Sequence, residues 1–139
     1  MSDWYFGDDA ELTPDTSNID YAGRIARVGR EVWRVRTARI TPTKPGAFVA
    51  VWRRAADGGT EPFPSDEPIT GLLVFVEDGD HEGVFAFTLN DLERLKITAS
   101  PTSPGKRGFR VYPEWVDGLN PQATRTQRAQ AAAFIARHD

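Results

Sequence analysis

Apolar and polar positions alternate along most of the chain in short runs with the period of two that belongs to strands. Ile25, Val28, Val32 and Val35 flank Gly29-Arg30, which predicts two strands meeting in a Gly-containing hairpin. In the second strand, about Glu31–Ile40, Trp33 and Val35 face one way and Arg34 and Arg36 the other. On this reading Arg24, Arg27, Arg34 and Arg36 make a basic outer surface on the hairpin. Pro42, Pro45 and Gly46 turn Thr41–Gly46 into a constrained loop. Ala47–Arg54 then reads as a strand, with Phe48, Ala50, Trp52 and Arg54 on one face and Val49, Val51 and Arg53 on the other. Leu72–Val76 is apolar on both faces, as a central, covered strand must be. Asp78-Gly79-Asp80 turns the chain into Val84–Thr88, where Phe85 and Phe87 share a face, and Phe109–Tyr112 is the last predicted strand.

Two segments depart from this period. Asn90 is a good N-cap with Glu93 three positions on, which predicts a short helix over Asp91–Leu95. Asn120-Pro121 pairs a cap with proline at the first helical position, and the alanine-rich stretch behind it predicts a helix to about Arg137. Residues 1–18 are acidic and hold the turn formers Gly7-Asp8-Asp9 and Thr13-Pro14-Asp15, so they read as a loose arm. The expected fold is α+β: an N-terminal arm over residues 1–18, then one domain over residues 19–139. That domain would be a curved, mostly antiparallel sheet of about six strands with a short helix and a C-terminal helix.

Composition narrows the chemistry. At 139 residues and 40% apolar, the chain can bury a core of its own. It has no cysteine, which removes disulfides, thiolate metal sites, iron–sulfur clusters and cysteine nucleophiles together. The run Leu72–Val76 is far below the roughly 20 residues of a membrane span. No charged-then-apolar leader opens the chain, so a soluble cytoplasmic protein that does not engage membranes is expected.

The net charge of −3 argues at first against a polyanion partner. Its distribution reverses that argument. Residues 1–20 carry −6, residues 21–54 carry +8, residues 55–93 carry −10 and residues 94–113 carry +5. Local potential, not the total, attracts polyanions, although acidic and basic strands lying side by side would also account for the segregation.

Groups for bond chemistry are sparse. His81 and His138 have no second histidine at ligand spacing, and Asp78, Asp80 and Glu82 lack the spacing of a calcium loop. No serine occupies a nucleophile elbow and no Gly-rich phosphate loop opens a helix, so no cofactor and no metal is expected. Restriction-type nucleases need an acid two residues before a lysine. Lys44, Lys96 and Lys106 have Pro42, Arg94 and Pro104 there. What remains is cations interleaved with aromatics and glycines: Gly105-Lys106-Arg107-Gly108-Phe109-Arg110-Val111-Tyr112-Pro113 with Trp115, and Thr41–Gly46 followed by Trp52-Arg53-Arg54. Glycines permit close backbone approach, Lys and Arg neutralise phosphate, and Tyr or Trp can stack on a base. The same tryptophans and phenylalanines also suit a core.

At these residues the sequence resembles the MepB-like family of small bacterial proteins, from about Asp20-Tyr21-Ala22 to Phe134. The matching stretches are Arg36-x-x-Arg39-Ile40-Thr41-Pro42-Thr43-Lys44-x-Gly46-x-Phe48-Val49-x-x-Trp52-x-Arg54, Pro62-Phe63 and Gly83-x-Phe85-x-Phe87. They continue with Gly105-Lys106-Arg107-Gly108-x-Arg110-Val111-Tyr112-Pro113-x-Trp115 and Gln122-Ala123-x-x-Thr126-Gln127. The chain departs from the pattern at Thr88 and Leu89, which stand for a proline and a lysine, and at Ala129, which stands for a tryptophan. The resemblance implies nucleic-acid binding, with a distant likeness to DNA-binding or restriction-enzyme domains.

The combined expectation is a nucleic-acid-binding module, with DNA as the first partner. It would use Arg36, Arg39, Lys44, Trp52, Arg54, Lys106, Arg107, Arg110, Tyr112, Trp115 and Gln127 around a basic, aromatic cleft. Two alternatives stand beside it. One is a divergent phosphodiesterase using Lys44, Asp66 and Glu77. The other is an adaptor for a protein partner, which would show an exposed apolar patch. Convergence of the two basic segments on one cleft is the deciding feature, with or without acids inside it.

Overall fold

The computed structural model describes residues 4–15 and 23–138. Residues 1–3 and 16–18 of the predicted arm, and Asp20-Tyr21-Ala22 of the family match, lie outside the described residues. The strands in chain order are β1 (Ala10–Pro14), β2 (Arg24–Val28), β3 (Glu31–Thr37), β4 (Arg39–Ile40), β5 (Ala47–Ala50), β6 (Trp52–Arg54), β7 (Thr60–Pro62), β8 (Gly71–Asp78), β9 (His81–Thr88), β10 (Gly108–Val111) and β11 (Phe134–Ala136). The helices are α1 (Leu89–Arg94) and α2 (Pro121–Gln130), the latter running into a 3₁₀ turn over Ala131–Ala133.

A six-stranded sheet in the order β1-β2-β3-β8-β9-β11 forms the body of a mixed α+β domain. All its pairings are antiparallel except β3 with β8. Its two hairpins close on Gly29-Arg30 and Gly79-Asp80, as the turn residues predict. β8 is central, and Gly71–Val76 is buried throughout. The six strands are not the six expected from the pattern. Ala47–Arg54 and Phe109–Tyr112 belong elsewhere, and the places they vacate are filled by β1 and β11 at the two edges.

Both faces of this sheet are covered. On one, Leu72, Val74, Val76, Phe85 and Phe87 meet Ala47, Val49, Val51, Phe109 and Val111 of a three-stranded sheet ordered β10-β5-β4, together with Leu92 and Ile97. On the other, Val35, Leu73, Phe75 and Val84 are capped by Trp4, Tyr5 and Phe6, whose rings lie 6.3, 5.8 and 5.8 Å from that of Phe75.

Several expectations need correction. The described part of the acidic arm is not loose: β1 pairs along β2, and Asp15 is only 6% exposed. Arg34 and Arg36 are not an outer basic surface, because β3 register puts them beside Leu72 and Val74, on the face that the rest of the domain covers. Arg36 is 0% exposed; it donates to Asp15 Oδ2 at 2.7 Å and to the Val35 carbonyl at 2.9 Å. Burial lowers its pKa, and the hydrogen bond and charge of Asp15 oppose that shift. Arg34 binds both Asp15 and Glu67, and its guanidinium lies 4.2 Å from the centre of the Phe63 ring.

The long strands predicted over 31–40 and 47–54 each divide. Ala38 N–H donates to Phe75 O at 2.9 Å and ends β3, after which β4 pairs with β5. Beyond Val51 the chain leaves β10, and β6 pairs with β7 in a separate ribbon. The first helix starts two residues early because Thr88 and Asp91 form the capping box in place of Asn90 and Glu93. The last helix stops at Gln130. Phe134–Ala136 pairs antiparallel with Gly83–Phe85, and the Phe134 ring sits 4.8 Å from that of Phe85, so packing overrides the helical propensity of the alanines.

Candidate nucleic-acid interface

The small sheet joins the two basic segments. Arg110 on β10 stands opposite Phe48 on β5, which in turn stands opposite Arg39 on β4. Neighbours alternate across a strand, so Ala47, Val49, Phe109 and Val111 point into the core while this row of Arg39, Phe48 and Arg110 faces away from it. Arg110 also secures the loop between β4 and β5: it donates to the Pro45 carbonyl at 3.3 Å and to Thr41 Oγ1 at 2.8 Å. Lys44, on that loop, is exposed.

Two glycines of the basic segments are required by rings. Gly46 has φ +78°, and a Cβ there would stand 2.7 Å from Tyr112 Cδ1. A Cβ on Gly108 would stand 2.4 Å from Phe48 Cζ. The glycines therefore seat Tyr112 and Phe48 on the sheet.

α2 lies along β10 and is fixed by two glutamines, one to the strand edge and one to the segment that follows it. Gln130, 2% exposed, accepts from Tyr112 N–H at 3.0 Å and donates to the Arg110 carbonyl at 2.9 Å. Gln127 donates to the Pro113 and Val116 carbonyls, both at 2.9 Å. At the other end Asn120 caps the helix, accepting from Ala123 N–H at 2.8 Å. Between β10 and α2 opens a cleft of about 620 Å³ lined by Lys106, Arg110, Arg125, Tyr112, Asn120 and Gln122 among others, and by no Asp or Glu among the described residues. Lys106, Arg110 and Arg125 pair with no carboxylate among the described residues.

The predicted site residues thus divide into groups. Lys106, Arg110 and Tyr112 line the cleft, whereas no residue of the first basic segment does; Arg39 and Lys44 lie on β4 and the loop that Arg110 secures. Trp52 and Arg54 belong to the β6–β7 ribbon and Arg107, just before β10, is fastened to it: Arg54 lies 5.1 Å from the centre of the Trp52 ring, and Arg107 donates to Thr60 Oγ1 at 3.0 Å and to its carbonyl at 2.9 Å. Trp115 is elsewhere. Its indole N–H donates to Asp78 Oδ2 at 3.2 Å, and its ring stacks on His81 at 4.8 Å. Gln127 serves as a staple, and Arg36 is enclosed. Arg125 was not anticipated. The signal for it lies in α2, where Gln122, Arg125, Thr126 and Ala129 recur at the spacing of one helical face.

Asp66 and Glu77 do not meet. Asp66 sits in the loop that enters β8, beside Glu67 and its partner Arg34, whereas Glu77 lies at the far end of the same strand, roughly 20 Å away along the strand from Gly71. Among the described residues no three His, Asp or Glu side chains are grouped so that they could hold a metal ion. No described helix is long and apolar enough to cross a membrane.

Fold and cleft together define a mixed α+β domain that presents a cation-lined groove at the edge of a small accessory sheet. The MepB-like family model matches residues 15–136. The crystal structure of MepB superposes with a TM-score of 0.91 at 30% sequence identity, covering 96% of this chain and 90% of that one. No curated protein matches the chain significantly. The chain belongs to the MepB-like family.

Proposed function

We propose that the protein binds nucleic acid, with DNA as the first candidate, through the cleft between β10 and α2. One observation carries the reading: three cations, from β10, the segment that enters it and α2, line a single concavity that no carboxylate lines among the described residues. Holding like charges together costs free energy, and in a protein of net charge −3 that cost is offset when a polyanion occupies the site. Lys106, Arg110 and Arg125 would contact phosphates, with Arg39 and Lys44 continuing the track over the adjoining loop. Arg54 and Arg107 are the flank nearest the ribbon.

The phosphodiesterase alternative needs Lys44, Asp66 and Glu77 in one cleft, and the fold puts the two acids at different ends of β8. An adaptor needs a contiguous apolar patch, yet the exposed large apolar residues among the described residues, Leu12, Ile40 and Ile135, are spread over β1, β4 and β11. The cleft therefore favours binding.

Titration of a labelled mixed-sequence DNA oligonucleotide, followed by fluorescence anisotropy across a salt series, tests this. Affinity should fall linearly with salt on a logarithmic plot, as counterions released from phosphates require. Lys106→Ala with Arg125→Ala should weaken binding about tenfold or more and flatten the slope by roughly 2. Both side chains are exposed, so the thermal midpoint should hardly move. No binding at about 50 mM salt, or binding indifferent to the double change, sinks the proposal.

A further inference from the structure

We infer that the cleft receives a single strand and not a duplex, with Tyr112 as the stacking residue; this rests on the nucleic-acid reading above. Proteins that read duplexes directly insert a convex element, a helix or a two-stranded ribbon, into a major groove about 12 Å wide. Here the cations line a concavity. Its walls are a strand and a helix, tied by Gln130 to the strand and by Gln127 to the segment that follows it, so it cannot open to admit a double helix without breaking these four part-buried hydrogen bonds. A groove that combines cations with an aromatic ring is the arrangement that follows a single-stranded backbone while stacking its bases.

Tyr112 fits that part in detail. It follows Arg110 by two positions, so the two side chains project from the same side of one extended segment. Its ring is half-buried and seated on Gly46, where a Cβ would displace it. The ring is therefore held in place before a ligand arrives, which lowers the entropic cost of stacking. Lys106 and Arg110 on β10 and its approach face Arg125 and Gln122 on α2 across the groove. Phosphates can be held at the walls while a base lies against the tyrosine.

The test compares a labelled single-stranded DNA of about 12 nucleotides with the duplex of the same sequence, both at about 100 mM salt. The single strand should bind at least tenfold tighter, roughly speaking. Tyr112→Leu should weaken single-strand binding by about fivefold or more with the salt slope unchanged, whereas Tyr112→Phe should bind as the parent does. A 2-aminopurine base within the strand supplies a readout that does not depend on the leucine variant folding, because stacking on Tyr112 quenches its fluorescence in the parent and in Tyr112→Phe. Equal or tighter duplex binding, or an unquenched base, overturns the single-strand inference and leaves the nucleic-acid reading standing. Absence of binding to either form overturns both.

Discussion

Lys96 is the one described non-glycine residue with positive φ, at 61°. It follows the C-cap Leu95 of α1, and its N–H donates to the Glu93 carbonyl at 3.0 Å while that of Ile97 donates to the Leu92 carbonyl at 2.8 Å. This pair of bonds, with Ile97 and Leu92 both buried, is the Schellman arrangement, whose left-handed position is normally glycine. A left-handed L-residue costs about 1–2 kcal/mol, and glycine gives back part of the gain through its freer unfolded chain. Lys96→Gly should therefore raise stability by about 0.5–1 kcal/mol, read as a higher urea midpoint with an unchanged m-value. Individual residues were legible where the cause was local. Gly29 and Gly79 at hairpin turns and Asn120 as a cap fall in this class; Gly46 does not, since the ring it makes room for is that of Tyr112. Arg36 was not, because its partner Asp15 lies far away in sequence, and period-two alternation reports only that a residue alternates, not whether its polar face is covered.

Among the elements, the junction of β10 with α2 depends on a side chain that acts as a strand. The amide of Gln130 accepts from Tyr112 N–H and donates to the Arg110 carbonyl, the two outward groups a neighbouring strand would have satisfied. Gln130→Ala leaves both without that partner. The expected loss is about 2 kcal/mol in chemical denaturation, less than the full penalty for two enclosed groups because the adjoining cleft admits water. On the proposed function, nucleic-acid binding should weaken at the same time, since the wall carrying Arg125 loses a tie. Most strands were visible in the sequence as alternating runs between glycine turns. Their division among three sheets was not, because Ala38 and Val51 mark changes of partner with no change of period. The C-terminal strand was hidden for a related reason: alanines at 131–133 favour helix locally, and Phe134 is drawn onto Phe85 by a contact outside any local window.

For the molecule as a whole, Asp15 fastens the N-terminal strand to the interior, accepting from Arg34 at 2.6 Å and from Arg36 at 2.7 Å. Arg34 keeps Glu67 when Asp15 is removed, but Arg36 would be left as an enclosed cation without its carboxylate. Asp15→Ala should cost about 3–5 kcal/mol in guanidinium unfolding, far more than truncating an exposed acid such as Glu11. The charge map raised the question whether the two basic segments meet, and the pairing of β5 with β10 brings their strands side by side. It could not show that part of the first segment is neutralised inside the fold or that α2 contributes the opposite wall. The parallel pairing of β3 with β8 carries a further, kinetic meaning. Each flanking hairpin closes through a two-residue turn, whereas this seam joins strands separated by residues 38–70, which include β4 to β7. The entropy of closing so long a loop is spent before its contacts give anything back, so such pairing is late compared with local hairpins. β5, the strand against which β10 of the cleft is laid, is threaded through that loop. Assembly of the groove is therefore bound to the slow closure of the main sheet, and a nascent chain presents its basic segments unshaped until the seam is made.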